Sequence, residues 1–66
     1  MTDIKLSQHD ATLTVEWDFD SSSTPKSWVW LMVNDDDTEP WFRLTIEETR
    51  QLWDALAEQL IVGGEL

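Results

Sequence analysis

The segment Thr12–Phe19 alternates strictly between apolar and polar residues. The apolar positions are Leu13, Val15, Trp17 and Phe19. This period of two predicts a strand that is buried on one face. Ile4 and Leu6 form a shorter alternating piece before it, and the polar segment Ser7–Asp10 between them predicts a hairpin turn.

Two further apolar segments follow this strand, and each is preceded by a turn. Trp28–Val33 is apolar throughout and rich in β-branched and aromatic residues, which is typical of a central strand. Trp41–Leu44 predicts a short last strand. Turn-forming residues precede these two segments at 21–25 and at 34–40.

The period of the apolar positions changes after residue 44, where a helix is predicted. Thr45 and Glu48 have the spacing of a capping box, in which each side chain accepts a backbone N–H of the other residue. One apolar stripe at helical spacing follows, made of Leu52, Trp53, Leu56 and Leu60. Gly63 and Gly64 predict the end of the helix.

Together these elements predict an α+β fold in a single domain over residues 1–66. The expected architecture is a three- or four-stranded antiparallel meander followed by one C-terminal helix packed on one face of the sheet. A single helix covers only one face, so one set of side chains on the central strand should point away from it. The two sets are Trp28, Trp30 and Met32, and Val29, Leu31 and Val33. We expect the uncovered set to be exposed as an interaction site, or else covered by the turns or by a second copy.

The composition limits how such a small chain can be stabilised. It has no cysteine and one histidine, so disulfides, thiolate zinc and histidine-rich metal sites are excluded. Bulky apolar side chains are the remaining resource. We therefore expect the five tryptophans to compensate for the small size by burial. They are Trp17, Trp28, Trp30, Trp41 and Trp53.

The charge is strongly negative, with fourteen acidic residues against four basic ones and a formal net charge of -10. Self-repulsion at this charge destabilises a compact protein, which indicates that the charge has a use. Direct binding to nucleic acid or to an anionic membrane is disfavoured, because both recruit lysine and arginine. The charge favours a basic partner: a nucleic-acid-binding protein, a cationic peptide or a cation. The leading prediction is a basic nucleic-acid-binding protein, and the chain itself is expected to be a monomer or a homodimer.

No targeting or membrane-spanning segment is expected. Met1–Gln8 lacks the basic start and apolar stretch of a signal peptide. The longest apolar run, Trp28–Val33, is too short to span a bilayer. A cytoplasmic location is compatible with the absence of cysteine, and it is the location we expect.

Acidic residues concentrate on the alternating strand, in the turn after the central strand, and on one side of the helix. Carboxylates at alternate strand positions recur at roughly 6.6–6.8 Å, a step that resembles a phosphate backbone in charge and repeat. The predicted acidic binding surface consists of Glu16, Asp18, Asp20, Asp35, Asp36, Asp37, Glu39, Glu47, Asp54 and Glu58. Secondary candidates for partner binding are the aromatic residues Trp28, Trp30 and Trp41. The alternative is that these acids are ordinary solvated residues and turn formers.

Metal binding and catalysis are not predicted. Asp35, Asp37 and Glu39 alternate as in a calcium loop, but Pro40 stands where the EF-hand pattern has glycine. His9 is expected to be an exposed turn residue, and the serines have no nucleophile-elbow context. We therefore predict a protein without cofactor, metal or enzymatic activity.

In size, charge and strand-rich build, the whole chain resembles the small phage-encoded inhibitors of host defence, including anti-CRISPR and anti-restriction proteins that mimic DNA. The resemblance rests on the ten acidic residues above and is one of class, since it involves no signature motif. It implies an inhibitor in the host cytoplasm that blocks target-DNA recognition by a CRISPR effector complex, of type I in its most specific form. The alternative is a small acidic interaction module or subunit that uses an exposed tryptophan-rich sheet face, also as a homodimer.

Overall fold

The computed structural model describes residues 1–35 and 37–65. Its elements are β1 (Thr2–Leu6), β2 (Ala11–Phe19), β3 (Ser27–Asn34), β4 (Trp41–Thr45) and α1 (Ile46–Val62). The strands pair antiparallel in the order β1-β2-β3-β4, and α1 packs against β3 and β4. The predicted α+β fold is therefore confirmed, with four strands in the meander. No helix in the described ranges is long and apolar enough to cross a membrane.

The strand register divides the side chains of the sheet between two faces. Glu16 lies opposite Trp30, and Trp30 lies opposite Arg43, so these three residues share a face. We call it the acidic–aromatic face, and its central residues are Thr14, Glu16, Asp18, Trp28, Trp30, Met32, Trp41 and Arg43. We call the other side the apolar face, and its central residues are Leu13, Val15, Trp17, Phe19, Val29, Leu31, Val33, Phe42 and Leu44.

Both predicted ends of the helix are present. The Thr45 hydroxyl accepts the Glu48 N–H at 3.1 Å, and the Glu48 carboxylate accepts the Thr45 N–H at 2.9 Å. At the other end, Gly64 has a φ of 77°, in the left-handed region that glycine adopts without strain. Its N–H donates to the Ile61 carbonyl, and the Glu65 N–H donates to the Leu60 carbonyl. These two bonds form a Schellman motif, which satisfies carbonyls left free at the helix end.

The interior of the fold is very small. Among the described residues only Ala11 and Thr14 are buried, and no residue of α1 is. The expectation that the tryptophans compensate for small size by burial is wrong for three of them, because Trp17, Trp41 and Trp53 are 63%, 60% and 74% exposed. For Trp17 the physical reason is that α1 contacts only β3 and β4 within the described part of the chain, so β2 lacks a covering layer. Trp41 lies on the edge strand β4, and Trp53 lines a groove to which no strand residue contributes.

The inner side chains of the central strand β3 are half-buried on both faces of the sheet. All six of its inner side chains, Trp28 to Val33, are half-buried, so neither of the two predicted sets is fully exposed. The more exposed aromatic side chains lie instead on the neighbouring strands and on the helix, at Trp17, Phe19, Trp41, Phe42 and Trp53.

The shape of a single copy is open. Its Cα radius of gyration is 13.9 Å, whereas a compact domain of this length has about 11 Å. Its accessible surface is 5486 Å², against about 4,300 Å² for a compact monomer of this mass. One copy therefore exposes surface that a compact domain would bury.

Candidate functional site

Arg43 lies on the acidic–aromatic face, on the edge strand β4. Its guanidinium carbon is 3.7 Å from the centroid of the Trp28 ring and 5.9 Å from that of Trp30. Its Nη1 is 3.9 Å from Oδ2 of Asp20, which is the only ion pair among the described residues. Since the protein has a net charge of -10, most of its carboxylates have no internal counter-charge.

Hydrogen bonds hold the two tryptophans of β3 in place. The Trp30 indole N–H donates to the Asp18 carboxylate at 3.3 Å, across the β2–β3 pair. The Trp28 indole N–H donates to the Ser23 hydroxyl at 2.9 Å. The Trp41 ring lies beside that of Trp30, with ring centroids 4.4 Å apart and planes inclined by 37°. The aromatic part of this face is therefore positioned by its own polar neighbours.

A shallow groove opens on this face beside the two packed tryptophans. Its lining residues are Thr14, Glu16, Trp30, Met32 and Trp41. Thr14 is buried and donates its hydroxyl hydrogen to Asp3 at 2.9 Å, whereas Glu16 is exposed. Indole faces next to a free carboxylate attract an organic cation by both cation–π and charge interactions. The groove is therefore suited to an arginine or lysine side chain.

Asp20 adjoins the same face and shapes the turn after β2. Its carboxylate accepts the Ser22 hydroxyl at 2.6 Å and the Ser22 N–H at 3.0 Å. The Ser22 hydroxyl, the Ser22 N–H and the charge of Arg43 lower the pKa of Asp20 below its usual value. Asp20 is thus held ionised and also has a structural role.

The acids of the β3–β4 turn differ in whether their carboxylates accept hydrogen bonds within the turn. Asp35 accepts the N–H groups of Thr38 at 2.7 Å and Asp37 at 2.9 Å, and these bonds lower its pKa. Glu39 accepts the side-chain amide of Asn34 at 3.4 Å. Asp37 is exposed, and Asp36 lies outside the described residues.

The helix acids Glu47, Asp54 and Glu58 are exposed and lie on the side of α1 opposite its apolar stripe. Within the described residues, α1 contacts β3 and β4 but not β2, which carries Glu16 and Asp18. The structure thus brings Glu16, Asp18 and Asp20 together with Trp28, Trp30 and Trp41. It shows no contact that would add the helix acids to that group.

Sequence reasoning missed two members of this site. Arg43 was one of four isolated bases in the sequence, and only the β3–β4 register places it between two tryptophans. Thr14 was one polar position among four on β2, and only the sheet buries it. Within residues 1–35 and 37–65, no three histidine, aspartate or glutamate side chains come together as a metal site.

The comparisons with known proteins add nothing to this geometry. No family model matches the chain, and no curated protein or solved structure is similar enough to match it.

Proposed function

We propose that the protein acts by binding, and that its acidic–aromatic face occupies a basic surface of a nucleic-acid-binding protein in place of DNA. One observation carries the proposal: the β2 carboxylates lie on or beside the same face as the three candidate tryptophans, and the described residues contain a single ion pair. A surface of this kind offers both uncompensated negative charge and aromatic contact area.

The two parts of the face contribute differently to binding. The net charge of -10 attracts a basic partner at long range and speeds association. Trp41, which is exposed at the rim of the groove, supplies contact energy once the partner has docked. An arginine of the partner that enters the groove would meet the Trp30 and Trp41 rings and the Glu16 carboxylate together.

The most specific form of the proposal follows from the class resemblance. It is a non-enzymatic inhibitor in the host cytoplasm that blocks target-DNA recognition by a CRISPR effector complex, of type I. The acidic–aromatic face supports the binding mode, and the resemblance supplies the class of target.

The test is a pair of matched charge reversals, Glu16→Lys on the groove and Glu58→Lys on the outer side of α1. Each changes the net charge by the same amount, both residues are exposed, and neither carboxylate makes a hydrogen bond or ion pair within the described residues. Binding is measured with an arginine-rich peptide and with a purified type I CRISPR effector complex, over a series of NaCl concentrations. We expect Glu16→Lys to weaken binding about tenfold or more, Glu58→Lys to weaken it much less, and the affinity of the parent protein to fall as salt rises.

Equal effects of the two reversals would contradict the proposed face, since only net charge would then matter. A second pair of variants, Trp41→Ala and Trp41→Phe, tests the alternative of a tryptophan-based interaction module. Binding that tolerates salt and Glu16→Lys, is lost in Trp41→Ala and is retained in Trp41→Phe would replace the DNA mimic with that module.

A further inference from the structure

The apolar stripe of α1 forms a groove on the surface of a single copy. The residues that line it are Trp53, Leu56, Ala57 and Leu60, with no strand residue among them. Trp53 is 74% exposed and Leu56 is 58% exposed. We propose that a second copy of the chain packs on this stripe and forms a two-fold symmetric homodimer. This interface is separate from the acidic–aromatic face, so the inference goes beyond the proposed function.

The stripe is complementary to itself. In an antiparallel helix pair whose two-fold axis passes between positions 56 and 57, Trp53 lies opposite Leu60 of the second copy. In the same pair Leu56 lies opposite Ala57 of the second copy, so a large side chain meets a small one. A two-fold interface requires one patch to fit its own copy in this way, and the four residues that line the groove meet that requirement.

The charge of the helix is compatible with a second acidic copy. Successive helical residues are rotated by about 100°, which puts Glu47, Asp54 and Glu58 on the side opposite the stripe. In the antiparallel pair these carboxylates stay on the outer surfaces, where solvent and salt screen them. The groove itself contains no charged residue, so it has nothing with which to recognise a basic partner and is suited to an apolar one.

The excess surface exposed by two separate copies matches the area that a stable homodimer buries. Two separate copies expose twice 5486 Å², or about 11,000 Å², whereas a compact protein of twice the mass exposes about 7,200 Å². The difference of about 3,800 Å² lies within the range of about 2,000–5,000 Å² buried by obligate homodimers. The stripe supplies only part of that area. The exposed aromatic residues of the apolar face are Trp17, Phe19 and Phe42, and they would supply the rest.

The second copy also explains how a chain with so little interior can fold. The described residues include only two buried ones, Ala11 and Thr14. A compact domain of about 60 residues buries about 60% of the surface of its unfolded chain, whereas one copy, with 5486 Å² still exposed, buries only about half. In the dimer, the helix stripes and the apolar sheet faces become the interior.

Sedimentation over a range of protein concentrations tests the dimer. We expect a mass of two copies, about 15.4 kDa, rather than the 7.7 kDa of one. Leu56→Gln should raise the dissociation constant at least about a hundredfold, because the change occurs twice in each dimer and adds a polar group at the axis. The matched control is Ala55→Gln, one residue away on the polar side of α1, which should leave the mass unchanged.

A second measurement is needed if the Leu56→Gln variant unfolds when its dimer dissociates. Folding coupled to dimerisation makes the melting temperature of the parent protein rise with its concentration. A mass of one copy at all concentrations, a melting temperature independent of concentration, or a Leu56→Gln variant that stays dimeric would each overturn the proposal. None of these measurements uses a basic partner, so their outcome is independent of the proposed function.

Discussion

Replacement of Arg43 by glutamine should have opposite effects on stability and on binding. The guanidinium stacks on Trp28 at 3.7 Å and pairs with Asp20 at 3.9 Å, so its loss removes contacts within the fold. It is also a cation on the face that we propose to bind a basic partner. Its removal should therefore weaken the fold and strengthen the attraction for the partner.

The expected loss of stability follows from the geometry. A cation–π contact at a partly exposed site contributes about 0.5–1 kcal/mol, and the Trp30 ring at 5.9 Å is at the limit of the useful range. Arg50→Gln is the control, because it removes the same charge from α1, where no aromatic contact of Arg50 is present in the described part of the chain. We expect Arg43→Gln to be less stable than Arg50→Gln by about 0.5–1 kcal/mol, which is about a 2- to 5-fold change in the unfolding equilibrium.

The assay is urea unfolding followed by circular dichroism, at one fixed protein concentration so that association does not differ between samples. Arg43→Lys keeps the charge but loses the planar stacking surface, and it should lie between the parent protein and Arg43→Gln. Equal stability of Arg43→Gln and Arg50→Gln would refute the stacking contribution. Weaker binding of the arginine-rich peptide by Arg43→Gln than by Arg50→Gln would refute the assigned electrostatics of the face.

Two further predictions concern the ends of α1 and the turns. Thr45→Ala should lower the free energy of unfolding by about 1 kcal/mol, because it removes the oxygen that accepts the Glu48 N–H. Urea unfolding measures this loss. Thr45→Ser retains that oxygen and should restore most of the loss. The pKa values of Asp20, Asp35 and Glu48 are lowered by hydrogen bonds to their carboxylates. Their contribution to stability is therefore fully present above the unfolded-state pKa of about 4 and is lost as the pH falls through the lower folded-state value. The stability difference between the parent protein and Asp35→Asn should be largest near neutral pH and should shrink below about pH 4; a difference that grows on acidification would contradict the assigned direction.

The two remaining predictions, the Glu16 and Glu58 reversals and the Leu56 and Ala55 replacements, separate the two surfaces of the molecule. The first pair reports on partner binding through the sheet, and the second on the mass of the protein through the helix. If one pair of variants behaves as expected and the other does not, only the surface tested by the first pair is supported as an interface.

Much of the fold was predictable because its signals are local. The period of two over β2 and the capping box at Thr45 each depend on residues within one turn or strand. The glycine pair that ends α1 likewise acts through hydrogen bonds to the last helical turn. Strand ends moved by a residue or two from the predicted bounds, since pairing with a neighbour extends a strand beyond its own pattern.

The candidate site was only partly predictable. The sequence indicates that Glu16 and Asp18 share one side of β2, because alternate residues of a strand do. It cannot indicate that Trp30 faces them from β3 or that Arg43 covers Trp28, because those contacts depend on the register between strands. The separation of the helix acids from the sheet acids is of the same kind, since it depends on how α1 lies against the sheet.

What the sequence determined by itself is the set of elements, the ends of the helix, and a net charge of -10 that favours a basic partner. These are properties of short segments or of composition, and they do not depend on distant contacts. The tertiary structure decided which acids and tryptophans share a face, and it decided that the tryptophans do not form a core. Burial depends on whether another layer lies over a side chain. Among the described residues of one copy, α1 contacts only β3 and β4, so Trp17 on β2 remains exposed. No strand residue lines the groove beside Trp53, so Trp53 also remains exposed despite the apolar pattern that predicted its burial.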